Sequence, residues 1–89
     1  MKVLVIGAGG REHAICAALE KSPKVTEIYC APGNAGIARI AHCVAIGDTE
    51  VDELLRFAQT HSVDLTVVGP EAALAAGIAD LFTQHGLRI

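Results

Sequence analysis

The chain of 89 residues is long enough to bury one hydrophobic core and too short for two. Apolar residues make up 52% and charged residues 19%, a balance that excludes intrinsic disorder. Seven basic against ten acidic residues leave a formal charge of −3, and the aromatics are Tyr29, Phe57 and Phe82 alone, so the basic, stacking surface of a nucleic-acid binder is missing, and no apolar run reaches the ~20 residues of a membrane span.

In chain order, residues 2–6 (Lys-Val-Leu-Val-Ile) form a short apolar run that stops at Gly7. This is the pattern of a strand buried on both faces; it is too short, and wrongly ordered, for a signal peptide. Residues 11–21 change to helical spacing, with Ala14, Ile15, Ala18 and Leu19 on one stripe and Ser22-Pro23 as the stop. Residues 25–31 read as a second strand, 32–36 as a loop, and 41–46 as a shorter strand or extended segment. Asp48 or Thr49 is expected to cap a helix over 51–61, whose stripe is Val51, Leu54, Leu55 and Ala58. Residues 65–68 are a further buried strand, broken by Gly69-Pro70. A single helix is expected over 72–84, with Leu74, Ile78, Leu81 and Phe82 on one face and Gly86 as its stop. Residues 87–89 read as the first residues of another strand.

The order is thus β-α-β-β-α-β-α-β. It predicts a three-layer, Rossmann-like open parallel sheet with helices on its faces and right-handed crossovers. Strand one is expected at the centre, the second and third strands on one side and the later strands on the other. Val3, Val5, Ile28, Val67 and Val68 are expected to be buried, under a cover that includes Leu19, Leu55, Leu74, Ile78 and Leu81. Residues 1–89 are expected to form one domain that stops inside a strand, as the front piece of a longer protein would.

Cys16, Cys30 and Cys43 are odd in number and form no C-x-x-C, which indicates neither a disulfide framework nor a zinc site. They are expected to be three buried, reduced thiols of a cytosolic protein. His42, His61 and His85 fall at element ends and read as surface residues.

The polar and glycine-rich residues gather just past the ends of strands, and in a parallel sheet those places share one end. The first group is Gly7-Ala8-Gly9-Gly10-Arg11-Glu12-His13, the second Pro32-Gly33-Asn34-Ala35-Gly36, the third Gly69-Pro70-Glu71. The first resembles the dinucleotide pattern G-x-G-x-x-G, but Glu12 stands at the third glycine. Cys30-Ala31-Pro32 stands where the ribose-binding acid would end strand two. Both departures argue against a nicotinamide or flavin cofactor. The glycines alone fit a tight turn as well as a ligand loop. Gly9 and Gly10 would let a backbone approach a ligand, and the amides that open a helix favour an anion. Arg11 adds a bidentate phosphate partner. Three polar residues are not needed to close a turn, so Arg11, Glu12 and His13 favour a ligand. His13 fits capping or loop bonding as well as acid–base work. Pro32-Gly33-Asn34 fits an ordinary turn or a set of amide donors for a sugar or phosphate, and Glu71 fits a favourable charge at a helix start.

Val-Leu-Val-Ile-Gly-Ala-Gly-Gly-Arg-Glu-His-Ala (3–14), Ala-Pro-Gly-Asn-Ala-Gly (31–36) and Asp-Leu-Thr-Val-Val-Gly-Pro-Glu-Ala-Ala-Leu (64–74) together resemble the amino-terminal domain of the phosphoribosylamine–glycine ligases, or glycinamide ribonucleotide synthetases. The resemblance runs the length of the chain; Ala73 departs from it, standing where the family has proline. It implies a pre-ATP-grasp domain of an ATP-dependent ligase of de novo purine synthesis in the cytoplasm, joining glycine to 5-phosphoribosylamine through an acyl phosphate. ATP and magnesium would lie in ATP-grasp domains outside this chain, leaving the domain without cofactor, metal or catalytic residue of its own. It would be inactive alone, with no nucleic-acid or membrane partner. The implied substrate-binding residues are Gly9, Gly10, Arg11, Glu12, His13, Pro32, Gly33, Asn34, Gly69, Pro70 and Glu71, with Glu12 and Glu71 as acceptors for ribose hydroxyls or the amine. The alternative reading is a non-catalytic, Rossmann-like small-molecule-binding or docking module.

Overall fold

The computed structural model describes all residues, 1–89. Its centre is β1 (Lys2–Gly7), in which Val3, Leu4, Val5 and Ile6 are all fully buried. Successive side chains of a strand point to opposite faces, so this unbroken apolar run needs cover on both. β1 pairs in parallel with β2 (Glu27–Pro32), from Lys2↔Glu27 to Gly7↔Pro32, and with β4 (Leu65–Val68), from Val3↔Leu65 to Ile6↔Val68. The short β3 (His42–Cys43) joins the outer edge of β2, giving the order β3-β2-β1-β4.

The two faces of β1 nucleate two cores. Val3 and Val5 pack with Ile28 and Cys30 of β2, Cys16 of α1 (Gly10–Glu20) and Ile37 of the 3-10 turn Ile37–Arg39. Leu4 and Ile6 pack with Leu54, Leu55 and Ala58 of α2 (Val51–Thr60), Ala73 of α3 (Glu71–Ala75), and Ile78 and Phe82 of α4 (Ile78–Gln84). The sheet is thus all-parallel and covered on both faces, as expected. No helix is long and apolar enough to cross a membrane.

Five local expectations are corrected. The helix expected over 72–84 is two helices, because Gly77 adopts a left-handed conformation at φ +85. Its N–H donates to the Leu74 carbonyl at 3.0 Å and closes α3. The break puts the two halves out of phase, so Ala73 enters the core and Leu74 is left 50% exposed. The N-cap of α2 is Glu50 rather than Asp48 or Thr49; its carboxylate accepts the Gly47 N–H at 2.6 Å and tightens the preceding turn. The strand expected over 87–89 forms no ladder, although the Thr66 N–H donates to the Arg88 carbonyl at 3.0 Å along the free edge of β4. That edge position also leaves Val67 and Val68 half-buried rather than buried. Finally, Cys43 lies exposed on the edge strand β3, so two of the three thiols are buried, not all three.

Candidate functional site

β1, β2 and β4 run in parallel, so their carboxyl ends form one rim. The register brings Gly7 beside Pro32 and Ile6 beside Val68, which starts all three loops at the same level. The chain leaves β1 for β2 on one side, and α2 carries it back across to β4 on the other. The reversal of strand order therefore falls between β1 and β4, where an open parallel sheet parts its loops to receive a ligand.

Backbone bonds fasten the loops to one another. The Gly33 N–H donates to the Gly7 carbonyl at 3.0 Å, and the Gly69 N–H to the Ile6 carbonyl at 3.1 Å. The Cys30 thiol reaches the same Gly7 carbonyl from below, at 3.3 Å. Side chains complete the bracing. Asn34 Nδ2 donates to the Ala8 carbonyl at 2.8 Å, while its Oδ1 accepts the Ile37 N–H at 2.9 Å. One amide thus ties the second loop to the first and starts the 3-10 turn. His13 is half-buried against Gly36, where a β-carbon would stand 2.9 Å from its Cε1. Arg11 spans the reversal point: its Nη2 donates to the Gly69 carbonyl, and its Nε faces Glu12 Oε2 at 3.4 Å.

Glu12 points inward. It is 6% exposed, and its Oε1 accepts the Gly9 N–H at 3.1 Å. Gly9 is the N-cap of α1 and Glu12 its third residue, so the carboxylate forms one half of a capping box; glycine has no side chain to form the other. The spacing Gly9-x-x-Glu12 carried that signal in the sequence, beside its likeness to a ligand loop.

The structure gathers Gly9, Gly10, Arg11, Glu12, His13, Pro32, Gly33, Asn34, Gly69, Pro70 and Glu71 along this rim, in different environments. Ala8, Gly9, Gly10, Pro32, Asn34 and Glu71 are exposed, and the Arg11 side chain is 69% exposed. Glu71 opens α3 behind Pro70 with its carboxylate free of protein partners. What the rim offers a ligand is a guanidinium on one side of the reversal point and a carboxylate on the other, on a stiff backbone floor. It is an open ledge. The molecule's two cavities lie elsewhere. The larger, about 380 Å³, is at the opposite end of the sheet between Glu20, Thr26, Glu27, Arg39 and His42. The smaller, about 200 Å³, lies beside Phe57 and His61.

The thiols beneath the rim are inert. Burial, with Cys16 beside it, pushes Cys30 up to about 12, and burial also raises Cys16. Neither supplies a thiolate nucleophile near neutrality. No three His, Cys, Asp or Glu side chains converge to hold a metal ion.

A parallel Rossmann-like sheet with three braced loops at its carboxyl rim, and a glutamate in place of the third glycine, defines an α/β domain outside the dinucleotide-binding pattern. All residues, 1–89, match the family model described as phosphoribosylglycinamide synthetase, N domain, and the chain belongs to that family. It is 54% identical over its whole length to the phosphoribosylamine–glycine ligase of Caldanaerobacter subterraneus subsp. tengcongensis, 51% to that of Halalkalibacterium halodurans and 53% to that of Escherichia coli strain K12. The chain spans 21% of the length of each of these relatives.

Proposed function

We propose that this domain supplies part of the phosphoribosylamine site of a ligase that joins glycine to 5-phosphoribosylamine, with ATP cleaved to ADP and phosphate. The product would be glycinamide ribonucleotide, made for purine synthesis in the cytoplasm. Family membership and the names of the relatives support the reaction. The observation that carries the site is the rim itself: Arg11 and Glu71 stand exposed on either side of the reversal point, above loops locked together by Asn34, Gly33 and Gly69.

The division of labour follows from charge. The guanidinium of Arg11 has donors to spare for a phosphate monoester, because Nη1 has no protein partner. The carboxylate of Glu71 is an acceptor for ribose hydroxyls or for the amine. Held between them, the sugar presents its nitrogen lone pair to the acyl phosphate of glycine; the new C–N bond forms as phosphate departs. The domain's part is to orient the nucleophile, which converts a bimolecular encounter into a positioned one. ATP and magnesium are assigned to the parts of the ligase outside these residues, since no carboxylate cluster here fits the metal.

Ribose 5-phosphate, a stable stand-in for the sugar amine, tests this directly. Titrated into the ¹⁵N-labelled chain, it should shift the amides of Gly9, Gly10, Arg11, Asn34 and Glu71, whereas NAD should shift none of them. Silence at the rim with ribose 5-phosphate, or an equal response to NAD, would remove the proposal.

A further inference from the structure

The glycine spacing of the first loop matches a diphosphate-binding turn as far as Gly9, and an 11-residue helix begins immediately after it. In a dinucleotide-binding sheet the space between such a turn and its helix receives the pyrophosphate. Here that space holds the carboxylate of Glu12. Its Oε1 accepts the Gly9 N–H at 3.1 Å, its Oε2 faces Arg11 Nε at 3.4 Å, and the residue is almost wholly buried. The walls around it are glycine. A β-carbon on Gly7, which has φ +135, would stand 2.5 Å from Glu12 Cγ. One on Gly69 would stand 2.6 Å from Oε2, and one on Gly9 would stand 3.3 Å from Oε1. The glycines on both sides of the reversal point therefore make room for a side chain of the protein itself.

We propose that Glu12 is a built-in counter-ion that sets the specificity of the rim. Its carboxylate takes the anion position at the start of α1 and keeps diphosphates out of it, by volume and by like charge. Through Nε it also holds the Arg11 guanidinium across the reversal point, so that Arg11 meets a single phosphate on the outer side. The exclusion stands on the geometry alone. The single-phosphate preference rests on the proposed phosphoribosyl site. Glu12 is on this account a positioning residue, acting through Gly9 and Arg11 rather than touching the substrate.

The test is a titration of the ¹⁵N-labelled chain with inorganic pyrophosphate, read at the Gly9 and Gly10 amides beside a thermal melt. The wild-type chain should show no saturable shift at Gly9. Glu12→Ala removes both volume and charge, and should bind pyrophosphate at least tenfold more tightly, with both amides shifting. Glu12→Gln keeps the shape and an acceptor for the Gly9 N–H while losing the charge; it should fold and gain about threefold or more, since like-charge repulsion is relieved. A purely structural glutamate predicts a lower melting temperature with no gain in pyrophosphate affinity. A folded Glu12→Gln chain with wild-type affinity would overturn the proposal, and it decides alone if the alanine variant does not fold. A wild-type chain that already binds pyrophosphate at Gly9 would overturn it as well. Ribose 5-phosphate run in parallel separates the sugar site from the exclusion: if it fails to bind while the variants gain pyrophosphate, the sugar site falls and the exclusion stands.

Discussion

Arg11 Nη2 donates to the backbone carbonyl of Gly69, joining residues 58 positions apart across the reversal point of the sheet. The bond is made possible by what lies beneath it. Gly69 has no side chain, so the carboxylate of Glu12 can lie under the third loop and face Arg11 Nε from below. Guanidinium, carboxylate and a bare backbone thus form one layered contact, and disturbing any member should be felt by the other two.

Gly69→Ala should destabilise the domain by about 1–3 kcal/mol, the usual cost of forcing extra volume into a filled space. The added β-carbon meets Oε2 at 2.6 Å and Cδ at 2.7 Å. If Glu12 is the cause, the double variant Gly69→Ala/Glu12→Ala should lose less than the sum of the single changes. Denaturant melts of the four proteins give the coupling energy. Strict additivity would mean that the alanine clashes with something else.

The core makes a contrast that melting curves can read. Leu4 is fully buried at the heart of the sheet, so Leu4→Ala should cost about 2–5 kcal/mol. Leu74→Ala should cost less than about 0.5 kcal/mol, because half of that side chain is in solvent. Comparable losses at the two positions would mean that α3 is rotated and turns Leu74 into the core.

Much of this was legible in the sequence, for physical reasons. The apolar runs of β1 and β4 and the stripe of α2 have single interpretations, and alternation of strand and helix leaves little choice of topology. The break at Gly77 was hidden because Leu74, Ile78, Leu81 and Phe82 keep helical spacing across it, and one glycine costs a helix only about 1 kcal/mol. β3 was overestimated because the Ala-His-Cys-Val-Ala-Ile run has strand-like apolarity, yet only His42 and Cys43 form ladder pairs with β2. At the rim, the positions of the loops followed from strand polarity alone. The inward turn of Glu12 did not, because a glutamate three residues after an N-cap fits a capping carboxylate and an outward acceptor equally well. Only the missing β-carbons of Gly7 and Gly69, whose places the Glu12 side chain fills, separate the two.

The buried thiols give the domain an alkaline limit. Cys30 is raised to about 12 and Cys16 is raised too, both mainly by burial. An unfolded thiol titrates near 8.5, so above that pH the folded state holds more protons than the unfolded state. This contribution to stability is fully present below about pH 8.5 and is lost as pH rises towards the folded value, at about 1.4 kcal/mol per pH unit for Cys30. Cys30→Ala should flatten the decline of stability between about pH 9 and 11. A thiol reagent at neutral pH should label Cys43 quickly, and Cys16 and Cys30 only on unfolding, since only Cys43 is exposed. Rapid labelling of all three would contradict the packing of α1 on β2.

Arg11 and Glu71 follow the two strands that flank the reversal point and carry opposite charges, and the proposed substrate has a group for each. In a complete ligase carrying this domain, Arg11→Ala should weaken phosphoribosylamine binding by about 1.5–3 kcal/mol, the range for a hydrogen bond to a charged partner. Its Michaelis constant for ATP should barely move, because the nucleotide is assigned to other domains. Stability should fall as well, because Arg11→Ala leaves the buried Glu12 carboxylate with the Gly9 N–H as its one partner, so at Arg11 the kinetics towards phosphoribosylamine decide. Glu71→Gln keeps the shape of the α3 start and removes a charged acceptor that has no protein partner, so it should impair use of the sugar amine while the melting temperature stays near wild type. If these residues serve only as loop braces and helix charges, the pattern inverts, with altered melting and unchanged kinetics towards phosphoribosylamine. Steady-state kinetics with each substrate varied in turn, beside a melting curve, separates the two patterns. Wild-type kinetics in both variants would reduce the rim to three well-fastened turns.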